Sequence, residues 1–373
     1  MTREMAQPVP ADRRIEFLDG LRGAAIFWVL LFHAYVRWPE VVPYGNRFSG
    51  VPYVAYGWLG VQLFFLISGF VIFMTLEKSA GFRDFMSRRW LRLFPAMLLC
   101  SMLIFATAPF FHERPAGVPT IRDLLPGLTF VDPTWWNLIV DSPQGVLEGA
   151  FWSLFVEMKF YLVAGWLFFL VGGARMIGTL VGLFLLARAA MFVSAQHPEF
   201  ALHWLLQLMD LLSAKYFGWF AAGALYYRYF HERRRGLLVM AVLVALASAL
   251  TQDGYQVHPE LFALSVVILF TAAILSALVK RTLTHPVFLF FGFVSYPLYL
   301  LHENMMVSAI AKVGIAAPWM PAFLLPLLPI LLVSGVAWLV AAYAEPWLRE
   351  KLRPFVRRKN PPVDRLADSE LGR

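Results

Sequence analysis

The sequence predicts an all-α integral membrane protein, a bundle of about ten transmembrane helices with both termini in the cytoplasm. The 373-residue chain is 60% hydrophobic and has a mean hydropathy of +0.64. Only 15% of its residues are charged, compared with about a quarter in soluble domains, so the excess of apolar side chains has to face lipid. The basic residues are concentrated in alternate connections between apolar stretches, as membrane topology requires.

The ten predicted spans are apolar stretches long enough to cross a hydrocarbon layer of ~30 Å. They are 18–36, 57–76, 93–111, 149–170, 176–193, 204–227, 236–250, 261–279, 287–307 and 322–343. One set of connections, with the two termini, holds 24 of the 32 Lys and Arg residues, and the opposite set holds five. The positive-inside rule therefore places both termini in the cytoplasm. The net charge of +8 follows from this topology, and we expect no nucleic-acid partner.

Around the membrane part, residues 1–14 are predicted to be a cytoplasmic segment without a removable signal peptide. The transmembrane domain is predicted over 15–348, and 349–373 is interpreted as a basic, disordered cytoplasmic tail. The connection 112–148, rich in Pro, Gly and Trp, is expected to fold over the outer mouth of the bundle. No metal-binding spacing is found, and Cys100 is the only cysteine.

Arg22 and His33 form the most informative pair in the sequence. Eleven steps of ~100° place both side chains on one face of the first span, ~16 Å apart along the axis. An ionisable side chain inside a bilayer is costly, which favours a functional role for the pair. The alternative is an arginine that reaches the membrane surface and a histidine hydrogen-bonded in the bundle interior.

Four ionisable residues are predicted to lie in one layer in the outer half of the membrane. These are His33, Glu157, Arg188 and His302, each from a different span. Such residues usually face the bundle interior and pair with one another, so they could surround one cavity. A buried ion-pair network that only stabilises the bundle is the alternative.

Three arginines stand at the start of the third span, in the segment RRWLRLFP. Arg89 and Arg92 lie three residues apart on one helix face, and Arg88 is adjacent. Guanidinium groups at a membrane surface suit phosphate or pyrophosphate. The alternative is that they only set the topology. Weaker candidates are Ser68 and Ser153 as hydroxyl donors to an oxyanion, and Trp135, Trp136 and Asn137 for stacking on a sugar.

Five segments in this order resemble the acyltransferase 3 family of bacterial membrane O-acyltransferases, which includes O-antigen and polysaccharide acetylases. They are the stretch from Arg22 to His33, GVQLFFLISGFVIF at 60–73, RRWLRLFP at 88–95, FWSLFVEMKFYL at 151–162 and SYPLYLLH at 295–302. The resemblance covers about 15–350.

The resemblance implies transfer of an acyl group, usually acetyl from cytoplasmic acetyl-CoA, to a hydroxyl of an envelope glycan, glycolipid or related acceptor at the bacterial inner membrane. The family's Arg-x10-His pattern falls on Arg22 and His33, its Arg-x-x-Arg pattern on Arg89 and Arg92, and its glutamate on Glu157. Arg22, Arg89 and Arg92, with the adjacent Arg88, are expected to bind the phosphates of the donor. Some relatives carry an additional extracytoplasmic domain. In this protein, transfer to the acceptor could instead involve a separate periplasmic partner.

In the mechanism that we predict, the catalytic residues are His33, Glu157 and His302, and acceptor contacts come from Arg188, Trp152 and Ser153. His33 is the preferred base for the acceptor hydroxyl, since imidazole titrates near neutrality. A second possibility is that a histidine is itself acylated. Glu157 is expected to orient His33 or His302, or to contact the acceptor. The alternative functions are a secondary transporter, which also uses buried charges, and a structural membrane subunit.

Overall fold

The computed structural model describes residues 15–140, 145–197, 202–254 and 256–356, and over these residues it is helical, without a β-strand. Its α-helices are α1 (Glu16–Tyr35), α2 (Pro52–Ala55), α3 (Gly60–Glu77), α4 (Phe82–Thr107), α5 (Leu124–Thr129), α6 (Pro133–Ile139), α7 (Trp152–Val171), α8 (Gly173–Gln196), α9 (His203–Leu211), α10 (Phe217–Glu232), α11 (Arg235–Leu250), α12 (Pro259–Leu275), α13 (Ala277–Leu283), α14 (Pro286–Leu301), α15 (Asn304–Ala316), α16 (Leu327–Leu339) and α17 (Glu345–Val356). The predicted segment 1–14 lies outside the described residues.

Six helical segments of the described chain are long and apolar enough to cross a membrane. They are Glu16–Tyr35, Gly57–Glu77, Phe82–Phe110, Gly149–Val171, Gly173–Gln196 and Leu327–Val356. Counting the pair α12 and α13 as one broken span, bent by 105°, raises the number to seven. The all-helical, multi-pass architecture is therefore confirmed, whereas the count of ten and the cytoplasmic termini stay predictions.

Two predicted spans are not continuous helices. The stretch 204–227 is divided at Ser213, whose φ of 57° lies in the left-handed region and ends the helical run from α9. The stretch 287–307 is divided after Leu301, and α15 starts anew at Asn304. Hydropathy alone did not detect either break, because the residues on both sides of each break are apolar.

The third span begins earlier than predicted, since α4 starts at Phe82 and carries all three arginines within one continuous helix. The predicted disorder of 349–373 is wrong for residues 349–356, which form the later part of α17. Helix α17 packs on α4, and this tertiary contact orders a segment whose composition is polar. Residues 357–373 lie outside the described chain.

Close backbone approach between α1 and α14 positions the candidate site. A Cβ added at Gly23 would lie 2.9 Å from the carbonyl carbon of Phe288, and one at Gly292 would lie 2.7 Å from that of Asp19. Only glycine allows the two parallel helices to pack at this distance. Ten residues beyond Gly23 and Gly292 along the two helices stand His33 and His302, which the packing brings together.

Candidate functional site

The centre of the site is a contact between two histidines. His33 lies in the last turn of α1, and His302 follows the last residue of α14. His302 Nε2 is 3.2 Å from His33 Nδ1, and the rings meet edge to face with centroids 4.6 Å apart. His302 is fully buried and His33 nearly so. The predicted proximity of these two side chains is therefore what the structure shows.

The backbone assigns the tautomers of the pair. His302 Nδ1 is 2.8 Å from the carbonyl oxygen of Tyr299, and His33 Nδ1 is 3.0 Å from that of Val29. A carbonyl oxygen can only accept, so in the neutral pair both Nδ1 atoms carry the proton. His302 Nε2 then accepts from His33 Nδ1–H. The one ring nitrogen of the pair left with an open lone pair is His33 Nε2.

The carboxylate beside this nitrogen belongs to Glu303, whose Oε1 is 3.8 Å from His33 Nε2. The sequence predicts Glu157 either as the carboxylate that orients a histidine or as an acceptor contact. Its carboxylate instead accepts from the hydroxyl of Ser68 and, at 2.6 Å, from that of Tyr161. Sequence reasoning missed Glu303, although it directly follows His302 in the chain.

Glu303 also takes part in a reciprocal pair of helix caps. Its Oε2 accepts from the backbone N–H of Ala150 at 2.5 Å, at the start of the helical run into α7. In return, Glu148 Oε2 accepts from the backbone N–H of Asn304 at 2.9 Å, at the first residue of α15. Each carboxylate satisfies an orphan donor at the other helix N-terminus, which ties α7 to the break between α14 and α15.

Glu148 is fully buried, with Arg114 3.5 Å away and the Asn304 side-chain amide at 2.6 Å. Burial, together with the negative charge of Glu303, raises the pKa of Glu148 to about 8, although Arg114 and Asn304 act in the opposite direction. Arg114 also donates to the carbonyl oxygen of Leu147 at 2.8 Å. Described residues from both ends of the connection 112–148 are thus held near Asn304, two residues after His302, and its place at the outer mouth of the bundle stays a prediction.

A small cavity of about 100 Å³ lies on the far side of Tyr299 from His302. Glu157, Ser68 and Ser153 line it, and Tyr299 closes one side with a ring whose centroid is 5.3 Å from that of His302. The hydroxyl oxygens of Tyr299 and Ser153 are 2.7 Å apart. Ser153, predicted as an acceptor contact, therefore lines the cavity, and Tyr299 stands between it and His302.

A second, larger cavity of about 1500 Å³ opens at the end of the bundle where α1 and α14 begin, and we call it the vestibule. Seven basic and three acidic residues line it. They are Arg22, Lys78, Arg83, Arg88, Arg89, Arg92 and Arg349, with Asp19, Asp84 and Glu345. The vestibule and the small cavity share the lining residues Arg22, Arg89, Arg92, Ser295 and Tyr296, so the two are adjoining parts of one path.

The predicted arginines take different positions on this path. Arg89 is buried, donates to the hydroxyl of Thr75 and leaves its Nε without a hydrogen-bond partner among the described residues. Arg92 is exposed, and Arg88 is held by Asp84 at 2.9 Å. Arg22 pairs with Asp19 at 2.7 Å. Arg22, Arg89 and Arg92 thus stand where the vestibule narrows into the small cavity, and Arg88 lies farther out.

Two predicted acceptor contacts are not at either cavity. Arg188 forms an ion pair with Asp253 at 2.7 Å, which satisfies its charge outside the path. Trp152 is 37% exposed and packs against the rings of Phe65 and Tyr216. Of the four ionisable residues predicted to lie at one depth, His33 and His302 are therefore in contact, whereas Arg188 interacts with neither of them.

Within the described chain no cluster of three or more His, Cys, Asp or Glu side chains could hold a metal ion.

Comparisons with known proteins show the family to which the chain belongs. A family model described as an acyltransferase domain, acyltransferase 3, matches residues 15–344. Among curated proteins, YrhL of Bacillus subtilis, provisionally named a peptidoglycan O-acetyltransferase, is 30% identical over 43% of this chain and 24% of its own. The peptidoglycan O-acetyltransferase OatA of Listeria monocytogenes is 26% identical over 39% of this chain and 23% of its own.

The O-acetyltransferase OatA of Staphylococcus aureus is 28% identical over 41% of this chain and 24% of its own. The matched region therefore spans about a quarter of the length of these relatives. No solved structure matches the chain at a significant level.

Proposed function

Since this chain belongs to the acyltransferase 3 family, we propose that it transfers an acyl group, most simply acetyl, from cytoplasmic acyl-CoA to a hydroxyl of an envelope glycan, glycolipid or related acceptor. Three relatives are named as O-acetyltransferases, two of them for peptidoglycan, which supports a glycan as the acceptor class. The proposal includes ten spans, cytoplasmic termini and a place in the bacterial inner membrane.

The observation that carries the proposal is the path from the vestibule into the small cavity, where Tyr299 stands between the cavity and His302. CoA has a cluster of phosphates at one end of a long pantetheine arm and the reactive thioester at the other. The vestibule holds an excess of four positive charges, which suits the phosphates. The small cavity beyond Arg22, Arg89 and Arg92 suits the narrow arm, and its closed end lies at Tyr299, against His302.

In the proposed reaction His33 Nε2 accepts the proton of the acceptor hydroxyl while the hydroxyl oxygen attacks the thioester carbonyl carbon. The C–O bond forms and the C–S bond breaks. The proton held by His33 then passes to the CoA thiolate, so the products are the acylated acceptor and free CoA thiol. Ser153, whose hydroxyl pairs with that of Tyr299, is the candidate donor in the cavity wall for the oxyanion that develops on the carbonyl, whereas Ser68 gives its hydroxyl proton to Glu157.

His302 holds His33 in the tautomer that this step needs, because it accepts from His33 Nδ1–H. Glu157 is placed to orient Ser68 and Tyr161 in the cavity wall, and we assign it this role rather than that of a base partner. General base assistance of this kind typically contributes ~10²–10⁴-fold in rate.

The test is transfer of labelled acetyl from acetyl-CoA by the purified protein in proteoliposomes, with soluble glycan hydroxyl acceptors. The double variant Arg89→Ala/Arg92→Ala should weaken acetyl-CoA binding at least 10-fold, because each charge-assisted phosphate contact contributes roughly 1.5–3 kcal/mol. Arg235→Ala/Arg281→Ala is the matched control, with the same loss of charge at residues that line neither cavity. Unchanged affinity in the Arg89/Arg92 variant would refute the assignment of the vestibule to the donor.

A further inference from the structure

We propose that Glu303 is a positioning residue for the transfer reaction, whose carboxylate stabilises His33 in its protonated form. The inference rests on the proposed function, since it concerns the base of the same reaction. It assigns to Glu303 the part that sequence reasoning had left to Glu157.

The first step of the argument is geometric. In the neutral pair both Nδ1 protons are donated, to the backbone carbonyls and to His302, and the lone pair of His302 Nε2 accepts from His33. A proton from a substrate can therefore be taken up only at His33 Nε2. Glu303 Oε1 stands 3.8 Å from that atom. A carboxylate at this distance lowers the energy of the imidazolium far more in a buried site than it would in water.

The second step concerns the rigidity of the carboxylate. The other oxygen of Glu303 is held by the N–H of Ala150, and its side chain is 4% exposed. The carboxylate therefore cannot turn away from His33 without breaking a helix cap. Because its position is set before the reaction, no reorganisation is needed when the imidazole becomes charged.

The third step separates Glu303 from the other acids of the region. Glu148 accepts from Asn304 and faces Arg114, and Glu157 accepts from Ser68 and Tyr161. Neither has a recorded contact with a nitrogen of either histidine in the described structure, whereas Glu303 Oε1 lies 3.8 Å from His33 Nε2. His302 thus orients the base through Nδ1 of His33, and Glu303 stands beside Nε2, the nitrogen that takes the proton.

The proton balance of the step is simple. The acceptor O–H bond breaks and an N–H bond forms at His33 Nε2, while Glu303 stays a carboxylate throughout. When the thiolate leaves, the same proton passes from His33 to sulfur. Glu303 takes no proton and forms no bond, so it acts only through its charge.

The experiment compares Glu303→Gln with Glu303→Asp and with the matched control Glu148→Gln. Glutamine keeps the length and an oxygen for the Ala150 N–H but has no charge, whereas aspartate keeps the charge and is shorter. Glu148→Gln makes the same amide substitution in the other half of the reciprocal cap, where burial raises the pKa of the carboxyl to about 8, so at pH 7 it changes the cap with little loss of charge. All variants are compared at pH 7 in proteoliposomes for kcat, acetyl-CoA KM and acetyl-CoA binding.

We expect Glu303→Gln to lower kcat on the order of 10²-fold with KM and donor binding unchanged, at the low end of general acid–base assistance. Glu303→Asp should retain more activity than Glu303→Gln, and Glu148→Gln should stay within a few-fold of the wild type. A purely structural cap predicts the reverse order, with glutamine better than aspartate, and that order would overturn the inference.

Failure of the inference differs from failure of the proposed function. If the wild type transfers acetyl from acetyl-CoA, His33→Ala abolishes transfer and Glu303→Gln retains full activity, the inference is wrong and the function stands. If the wild type binds and uses no acyl-CoA, the proposed function fails first. If Glu303→Gln does not insert, the pH dependence of kcat in Glu303→Asp decides. An apparent pKa of the base shifted to lower pH with normal donor binding supports the inference, because the charge then stands farther from His33, and a pH profile equal to that of the wild type refutes it.

Discussion

The sharpest test of the geometry is Gly23→Ala, which acts on the histidine pair from about ten residues away. The new Cβ would lie 2.9 Å from the carbonyl carbon of Phe288, and ordinary van der Waals contact begins near 3.4 Å. Helices α1 and α14 must therefore move apart by at least about 0.5 Å, because a helical backbone cannot yield locally. If the displacement is carried along α1, the 3.2 Å contact between His33 and His302 lengthens to about 3.7 Å, beyond hydrogen-bond range.

The expected result is a fall in kcat for acetyl transfer of on the order of 10-fold or more, since a misplacement of ~1 Å can cost ~10²-fold. Acetyl-CoA binding should fall less than kcat, because four of the seven basic residues that line the vestibule, Arg83, Arg88, Arg89 and Arg92, stand on α4. Gly182→Ala is the matched control, since it makes the same change on α8 at a glycine with nothing within 4 Å. The assay is acetyl transfer in proteoliposomes, with size-exclusion profiles to confirm folding. Equal kcat in the Gly23 and Gly182 variants would refute the dependence of the site on this helix contact.

Three further predictions follow from the same arrangement. His33→Ala should abolish acetyl transfer while acetyl-CoA still binds, whereas Arg22→Ala should lose both acetyl-CoA binding and transfer. Isothermal titration measures the binding and the transfer assay measures the reaction. Equal binding defects in the two variants would contradict the assignment of Arg22 to the donor and of His33 to the chemical step. Glu148 has its pKa raised from 4.5 to about 8, so the folded state holds an extra proton between these values and stability should fall as pH rises from 5 to 8. Thermal melts at several pH values check this, and Glu148→Gln should flatten the curve. A periplasm-specific phosphatase fused to the C-terminus should be inactive, and an active fusion would overturn the topology on which the donor side rests.

Much of the path was accessible to sequence reasoning because it depends on local periodicity. The spacing of Arg22 and His33 places them on one face of one helix, and the spacing of Arg89 and Arg92 does the same. In the structure Arg22, Arg89 and Arg92 line the narrowing of the vestibule. Hydropathy likewise predicted the all-helical membrane class, since it depends only on the length and composition of each segment.

Contacts between distant segments were not accessible in the same way. Depth along the helices placed Arg188 level with the histidines, but depth says nothing about which helices are neighbours, and Arg188 pairs with Asp253 instead. Glu157 was chosen as the partner of a histidine for the same reason. Its actual partners, Ser68 and Tyr161, follow from the way α3 and α7 pack.

By itself, the sequence determined the membrane class, the family and the helix faces that carry charge, because these are properties of single segments. Only the tertiary structure decided that His33 meets His302, 269 positions away, and that Glu303 is the carboxylate beside them. The physical reason is that these contacts depend on a glycine-mediated approach of α1 and α14, and on two carboxylates that each cap the other's helix. Neither interaction exists until the distant segments have packed.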